Sequence, residues 1–368
     1  MTKARTNASA SPAVGRNMVI NGAMNVAQRS ASVAALGATD GYFTVDRFLC
    51  NFNASAGRLS MTQTSDGPNG ISANCIKLDC TTADASIAAA ELLVLEQRFE
   101  GQNLQRIGKG VVGAQQITVS FYVKASASFT FGLELFDNDN SRQITKLFDT
   151  TTDWVRHEIT FPADVDDGSS PFGDDNAISL TLGFWLHAGA TFAGGTLNSA
   201  SWANNTNANR AVGIDSFFSN TANNFFLTGV QMEVGPVATE FEQEDIGVTI
   251  AKCQRYFQIL AKHGLGSGGG NATVGMGAMY NDAYLTCPLR FPVQMRTFGT
   301  LTSGSATGIF RFYRNNGTDV FDDFSTSTAR TNYGIEIANS DDMSGTAGHA
   351  GFIETVSAAA VLTIDAEL

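Results

Sequence analysis

Apolar and polar residues alternate with a period of two along most of this chain, the pattern of half-buried β-strands. Ile117, Val119, Phe121 and Val123 alternate with Thr118, Ser120 and Tyr122, and Phe129, Phe131, Leu133 and Leu135 with Thr130, Gly132 and Glu134. Residues 155–161 and 180–186 repeat the pattern, and Leu59, Met61 and, less strongly, Ile71 continue it upstream. Residues 225–234 predict a further strand, with Phe226, Thr228, Val230, Met232 and Val234 on one face and Leu227, Gly229, Gln231 and Glu233 on the other. Gly235-Pro236 ends that run, because proline has no N–H for a ladder. Turn clusters such as Asp137-Asn138-Asp139-Asn140 and Asp166-Asp167-Gly168-Ser169 separate the runs. Strands without helices between them predict an antiparallel sandwich.

One segment has a helical period. Ile246, Ile250, Cys253, Phe257 and Leu260 make a single stripe that predicts a helix over 246–261, with Gly264 as its stop. The glycine-rich residues 264–270 then read as a flexible hinge. Alternation resumes in 271–368, around Leu285, Leu289, Ile309 to Tyr313, residues 333–337 and a last strand of Leu362, Ile364, Ala366 and Leu368. At the other end, residues 1–16 are small and polar and predict an extended arm. Residues 17–29, with Met18, Ile20, Met24 and Val26, predict the first strand, an attachment segment being the other reading, and residues 43–48 open the next strand region. Residues 86–106 are ambiguous, because their helix formers are apolar on every face. Residues 189–213 form a long Gly/Asn/Ser/Ala loop around Trp202, and loops of that length are often functional.

Charge changes the picture by exclusion. The 368 residues carry a net charge of −12, with 16% charged side chains and scattered basic residues. A duplex nucleic-acid binder needs a basic stripe, so nucleic acid is not an expected partner. No apolar run approaches the ~20 residues of a membrane span, and no signal peptide is visible, so no membrane insertion is expected. The five cysteines, Cys50, Cys75, Cys80, Cys253 and Cys287, lack paired metal-ligand spacing and read as buried free thiols.

Candidate chemistry is sparse. Asp164, Asp166, Asp167, Asp174 and Asp175 form an acidic stretch, but beside Gly and Ser such residues are turn formers, and no EF-hand loop occurs. His157, His187, His263 and His349 lie far apart, with no Gly-x-Ser-x-Gly elbow and no phosphate loop. His187, following an apolar strand, reads as a core residue. The expectation is therefore no catalytic residue, no metal site and no cofactor. Sugar recognition needs a flat ring beside amide or carboxylate groups. Trp202, Asn204 and Asn205 in the long loop have that chemistry and are the candidate glycan contact, whereas Trp154 and Trp185 sit in alternating strands and read as core. Cys253, Arg255, Tyr256 and Phe257 read as packing between the two modules, with Arg255 able to fork onto Glu233 or Glu242.

Four phrases carry a resemblance. They are Asn17-Met18-Val19-Ile20-Asn21-Gly22-Ala23-Met24-Asn25-Val26-Ala27-Gln28-Arg29, Val119-Ser120-Phe121-Tyr122-Val123-Lys124-Ala125, the run from Leu227-Thr228-Gly229-Val230-Gln231-Met232-Glu233-Val234-Gly235 to Cys253-Gln254-Arg255-Tyr256-Phe257, and Asp365-Ala366-Glu367-Leu368. In this order they resemble tail-fibre and virion appendage proteins of tailed bacteriophages. The resemblance implies an all-β chain: an arm over 1–16, a carbohydrate-binding-module-like jelly-roll sandwich over 17–245, a short connecting helix and glycine hinge over 246–270, and a smaller C-terminal sandwich over 271–368. It makes residues 92–99 a strand followed by a helical turn. It also implies a non-enzymatic, homotrimeric virion protein, assembled in the host cytoplasm, that meets other virion proteins through the arm and adsorbs to a host-surface glycan. A capsid decoration or head-fibre protein is the competing class, and a polysaccharide depolymerase the third.

Overall fold

The structure is a computed structural model describing residues 15–165, 170–265, 267–304 and 306–368. It is all-β in its regular elements apart from short helices, and it divides into two compact units, Met1–Thr249 and Ile250–Leu368. In the first, a six-stranded sheet runs in the order Ser32–Leu36, Arg58–Thr64, Cys75–Thr82, Asn224–Val234, Ile117–Ala125, Val155–Phe161. A seven-stranded sheet runs Ala203–Asn204, Arg142–Asp149, Thr130–Asp137, Ile178–Ala188, Leu92–Glu100, Leu49–Asn53, Gly41–Tyr42. The inner faces of both sheets, including Leu78, Phe121 and Leu227 from one and Leu95, Leu133 and Leu182 from the other, meet in one core. All pairings are antiparallel, so the predicted sandwich is present. Residues 92–100 are indeed a strand followed by 3₁₀ turns.

The Asn224–Val234 strand lies centrally, between Cys75–Thr82 and Ile117–Ala125. It does not keep one face throughout. Its pairing with Ile117–Ala125 slips between Thr228 and Gln231, and Gly229 adopts φ +61°. A bulge of this kind inserts one residue and reverses the alternation. Phe225 and Leu227 therefore join the core before the bulge, and Val230 and Met232 after it. The single face predicted from Phe226 to Val234 holds only beyond Gly229.

Two flanking segments fasten to this strand. Asn17 donates its amide to Val230 O (3.1 Å) and accepts from Met232 N (3.0 Å). Met18 N–H reaches Met232 O (2.9 Å), and Val230 N–H reaches Gly22 O (3.0 Å). A Cβ on Gly22 would stand 2.0 Å from Val230 O, so only glycine permits that approach. On the exit side, buried Glu233 accepts from Thr239 N and Gln231 Nε2 (both 2.8 Å), and Gln231 Oε1 accepts from Glu242 N (2.8 Å). Glu242 in turn accepts from Asn17 N (2.8 Å). The polar letters of the motif thus fold the segments before and after the strand onto each other. Residues 17–29 are consequently packed but irregular, because Asn21 (φ 62°) and Met24 (φ 58°) break any extended run, and the first strand is Ser32–Leu36. Residues 43–48 are likewise a turn, with Arg47 at φ 72°, and the strand there is Leu49–Asn53.

The second unit pairs a three-stranded sheet, Phe257–Lys262, Val361–Asp365, Thr300–Ser303, with a seven-stranded one. The latter runs Gly317–Phe321, Phe310–Arg314, Ala350–Thr355, Thr273–Asn281, Tyr284–Arg290, Gly334–Asn339, Ser325–Thr331. Leu362 and Ile364 from the first sheet pack with Leu285, Phe312, Ile337 and Ile353 from the second. The predicted helix is shorter than its stripe. It spans Ile246–Gln254, across the division between the units, and Phe257 opens a strand paired with Val361–Asp365. The partner strand a hundred positions away overrides the helical period. The glycine-rich stretch is therefore no hinge between modules. It joins Phe257–Lys262 to Thr273–Asn281 inside the second unit, closed by Gly264 N–H to Gly270 O (3.0 Å).

All five cysteines are free and buried, as expected, and burial pushes the Cys50 thiol up to about 12 and those of Cys75 and Cys287 to about 11. His157 stacks on Phe121 (5.3 Å) and packs beside Phe148 (5.5 Å), with Nε2 on Asp149 O (2.9 Å). Burial lowers its pKa from the ordinary 6.5. The unfolded chain then takes up the proton first, so its contribution is complete above pH 6.5 and lost as pH falls towards the folded pKa. His157→Phe is expected to flatten that part of the stability–pH profile, measured by urea denaturation from pH 7.5 to 5. Gly229→Val places a Cβ within 2.8 Å of Tyr122 Cδ2 and 2.9 Å of Ile71 Cγ2 at positive φ. It is expected to cost about 1–3 kcal/mol in the same assay.

Candidate functional site

The candidate site is on the outer face of the seven-stranded sheet of the second unit. Along Tyr284–Arg290, Leu285 and Cys287 enter the core, so Tyr284 and Thr286 face away from it. Along Gly334–Asn339, Ile335 and Ile337 enter and Glu336 faces away. Asn281 closes the hairpin between Thr273–Asn281 and Tyr284–Arg290, its side chain accepting from Ala283 N (2.9 Å). Tyr280 and Tyr284 flank this turn, their rings edge to face at 6.1 Å and 76°. Tyr280 is 77% exposed. Together with Asn281, Thr286, Thr326, Ala329 and Glu336 they line an open trough of about 610 Å³. A second hollow of about 350 Å³, lined by Pro288, Arg290, Arg330 and Thr331 among others, shares Ala329 and Glu336 with it. Further across the face, Met276 stands opposite Phe352, and Phe352 stacks on Tyr313 at 4.5 Å. Exposed rings beside an amide, hydroxyls and a carboxylate are the groups that recognise a sugar. The signal in the sequence was two tyrosines on the polar phase of neighbouring alternating runs, around Asn281-Asp282-Ala283.

The loop expected to hold the glycan contact is built differently. Trp202 is 8% exposed, lies in the core of the first unit and donates its indole N–H to Pro162 O (2.9 Å). Its face is not presented to solvent. Arg142 holds this turn, forking onto Asp164 (3.0 Å twice) and reaching Trp202 O (3.3 Å) and Asn204 Oδ1 (3.4 Å). Asn205 Nδ2 reaches Asn207 (3.3 Å). The rest of the long loop lies against the outer face of the first unit's seven-stranded sheet. Phe192 and Ala211 close with Leu92, Val94 and Trp185 into a small second core. Arg210 forks onto Glu134 (2.8 and 2.7 Å) while lying over Phe136 and Trp185. Trp185 is buried as expected. Trp154 is half-buried, under the Lys124 ammonium at 5.2 Å.

In the acidic stretch, Asp164 is a buried ion-pair partner, and Asp166 and Asp167 lie outside the described residues. Glu233 and Glu242, expected to receive Arg255, are engaged with Thr239 and Gln231 and with Asn17. Cys253, Tyr256 and Phe257 are buried, and the backbone carbonyls of Arg255 and Tyr256 accept from Arg296 N (2.8 Å) and Ala366 N (2.7 Å), fastening the chain's last residues. One cluster escaped the sequence reading: Asp84, Glu91 and His187 converge in the first unit. Burial holds His187 neutral, its pKa lowered to about 4. Among the described residues, no helix is long and apolar enough to cross a membrane.

No known protein family matches the chain, and no curated protein does. Solved structures of similar fold include a family 11 carbohydrate-binding module from Clostridium thermocellum in complex with a β-1,3-1,4-mixed-linked tetrasaccharide, at 11% identity over 57% of this chain and 99% of that one, TM-score 0.27. The CBM22-1 xylan-binding domain of Paenibacillus barcinonensis Xyn10C matches at 13% identity over 56% and 94%, TM-score 0.26. The CBM22-1–CBM22-2 tandem of the same protein matches at 12% over 93% and 98%, TM-score 0.26. At this level the likeness assigns neither ligand nor residue to this chain. Trp202→Ala is expected to destabilise the first unit by about 3–5 kcal/mol, as removal of a buried indole does. A calorimetric scan checks this; an unchanged melting temperature would return Trp202 to the list of surface contacts.

Proposed function

We propose that this protein is a non-enzymatic virion appendage protein of a tailed bacteriophage that adsorbs to a host-surface glycan through the Tyr280–Tyr284 trough. The trough carries the reading: two rings, one of them mostly exposed, border a polar hollow large enough for a short oligosaccharide. The four motif phrases support the virion assignment, and the motif's polar residues each have a place in the fold around Asn224–Val234. The chain works as a homotrimer and meets other virion proteins through its N-terminal arm. Immunogold labelling of particles separates a tail appendage from a capsid decoration protein.

The direct test is binding of the full chain to surface polysaccharide of a susceptible host, with a resistant strain as control. Tyr280→Ala and Glu336→Gln are each expected to weaken binding about tenfold, the ring worth ~1 kcal/mol or more in stacking and the carboxylate ~1.5 kcal/mol in charge-assisted hydrogen bonds. Both sites face solvent, so the melting temperature stays put. Unchanged binding in both variants would remove the trough from the account.

A further inference from the structure

We propose that Asp84, Glu91 and His187 form a binding site for a divalent transition-metal ion of the zinc type. The residues come from separate elements of the first unit. Asp84 follows Cys75–Thr82, Glu91 immediately precedes Leu92–Glu100, and His187 lies near the end of Ile178–Ala188. A register shift between Trp185 and His187 re-aims the imidazole, as bulges beside sites do. One ligand atom from each residue lies within 4.8 Å of the others, and His187 Nε2 stands 3.2 Å from Glu91 Oε2. The edge of a tetrahedron with ~2.05 Å bonds is roughly 3.3 Å, so that pair already has the spacing of two ligands on one ion.

The second observation is an orphan. Asp84 is 7% exposed, Oδ1 accepts from Ser86 N (2.9 Å), and Oδ2 has no hydrogen-bond partner. Neither Asp84 nor Glu91 has a lysine or arginine partner among the described residues. Two buried carboxyl groups and an imidazole converge here, one carboxyl oxygen among them without a donor and no lysine or arginine beside them among the described residues, a costly arrangement that a cation would relieve. A single divalent ion satisfies all three at once. An imidazole ligand favours zinc-type ions over calcium, which takes oxygen ligands. His187 Nδ1 lies 2.8 Å from Ser216 Oγ, the kind of outer hydrogen bond that orients a ligating histidine, with Nε2 turned towards Glu91 and the cluster. Bound there, the ion ties the loop around Asp84 to the strand end at His187 and to the turn of Ser216, whose neighbour Phe218 packs edge-on against the imidazole at 5.2 Å.

The test is Zn²⁺ titration of chelator-treated full-length chain by calorimetry, with Ca²⁺ in parallel, alongside thermal denaturation. The expected result is one Zn²⁺ per chain and a higher melting temperature with metal, since an ion bound only by the native state stabilises it. Ser216→Ala is expected to weaken Zn²⁺ about 10–100-fold, and Glu91→Gln by at least as much. Glu91→Gln keeps shape and hydrogen-bonding capacity, so circular dichroism shows it folded even where His187→Gln does not fold. Folded wild type that takes up no Zn²⁺, or takes it up equally well as Glu91→Gln, overturns the proposal in favour of a carboxyl pair sharing a proton. Calcium bound more tightly than zinc overturns it too.

Discussion

Everything in the first unit hangs on the pairing of Asn224–Val234 at the middle of its sheet, and on the bulge at Gly229 within it. The strand supplies core residues on both sides of the bulge, and its edge atoms at Val230 and Met232 receive the segment of residues 17–22. Gln231 and Glu233 could have been ordinary surface residues of a half-buried strand. They are buried, and they hold the segment that leaves the strand against the segment that begins the described chain. A buried carboxylate is tolerable there because it receives several donors at once.

Much of this architecture was legible. Period-two alternation located the strands around 117–123, 129–135, 155–161, 180–186 and 225–234, whose apolar phase feeds a core, and passed over Cys75–Thr82, Arg142–Asp149 and Thr273–Asn281. It failed where pairing over long sequence distances decided the outcome. Phe257 and Leu260 continue a helical stripe, yet Val361–Asp365 draws them into a sheet. Asn21 and Met24 interrupt an apolar run with left-handed backbone that no periodicity announces. The parity reversal at Gly229 looks, in sequence, like one more small residue on a strand.

The site was less legible than the fold. Trp202 has the right chemistry for a sugar platform, but its indole N–H found a carbonyl beneath it and the ring followed into the core. Tyr280 and Tyr284 are among the rings that stay outside, on a sheet whose inner face is filled by Leu, Ile, Cys and Phe. Asp84, Glu91 and His187 were invisible because they are scattered along the chain, and only adjacent strands and a bulge bring them together.

The central claim is that the outer face of the C-terminal unit, and not the Trp202 loop, meets the ligand. Hydrogen–deuterium exchange of the full chain, with and without a fragment of host-surface polysaccharide, tests it most directly. The account predicts slowed exchange at 280–286 and 334–338, with the amides of 202–205 unchanged. Protection centred on 202–205, with none around Tyr280 and Glu336, would contradict it.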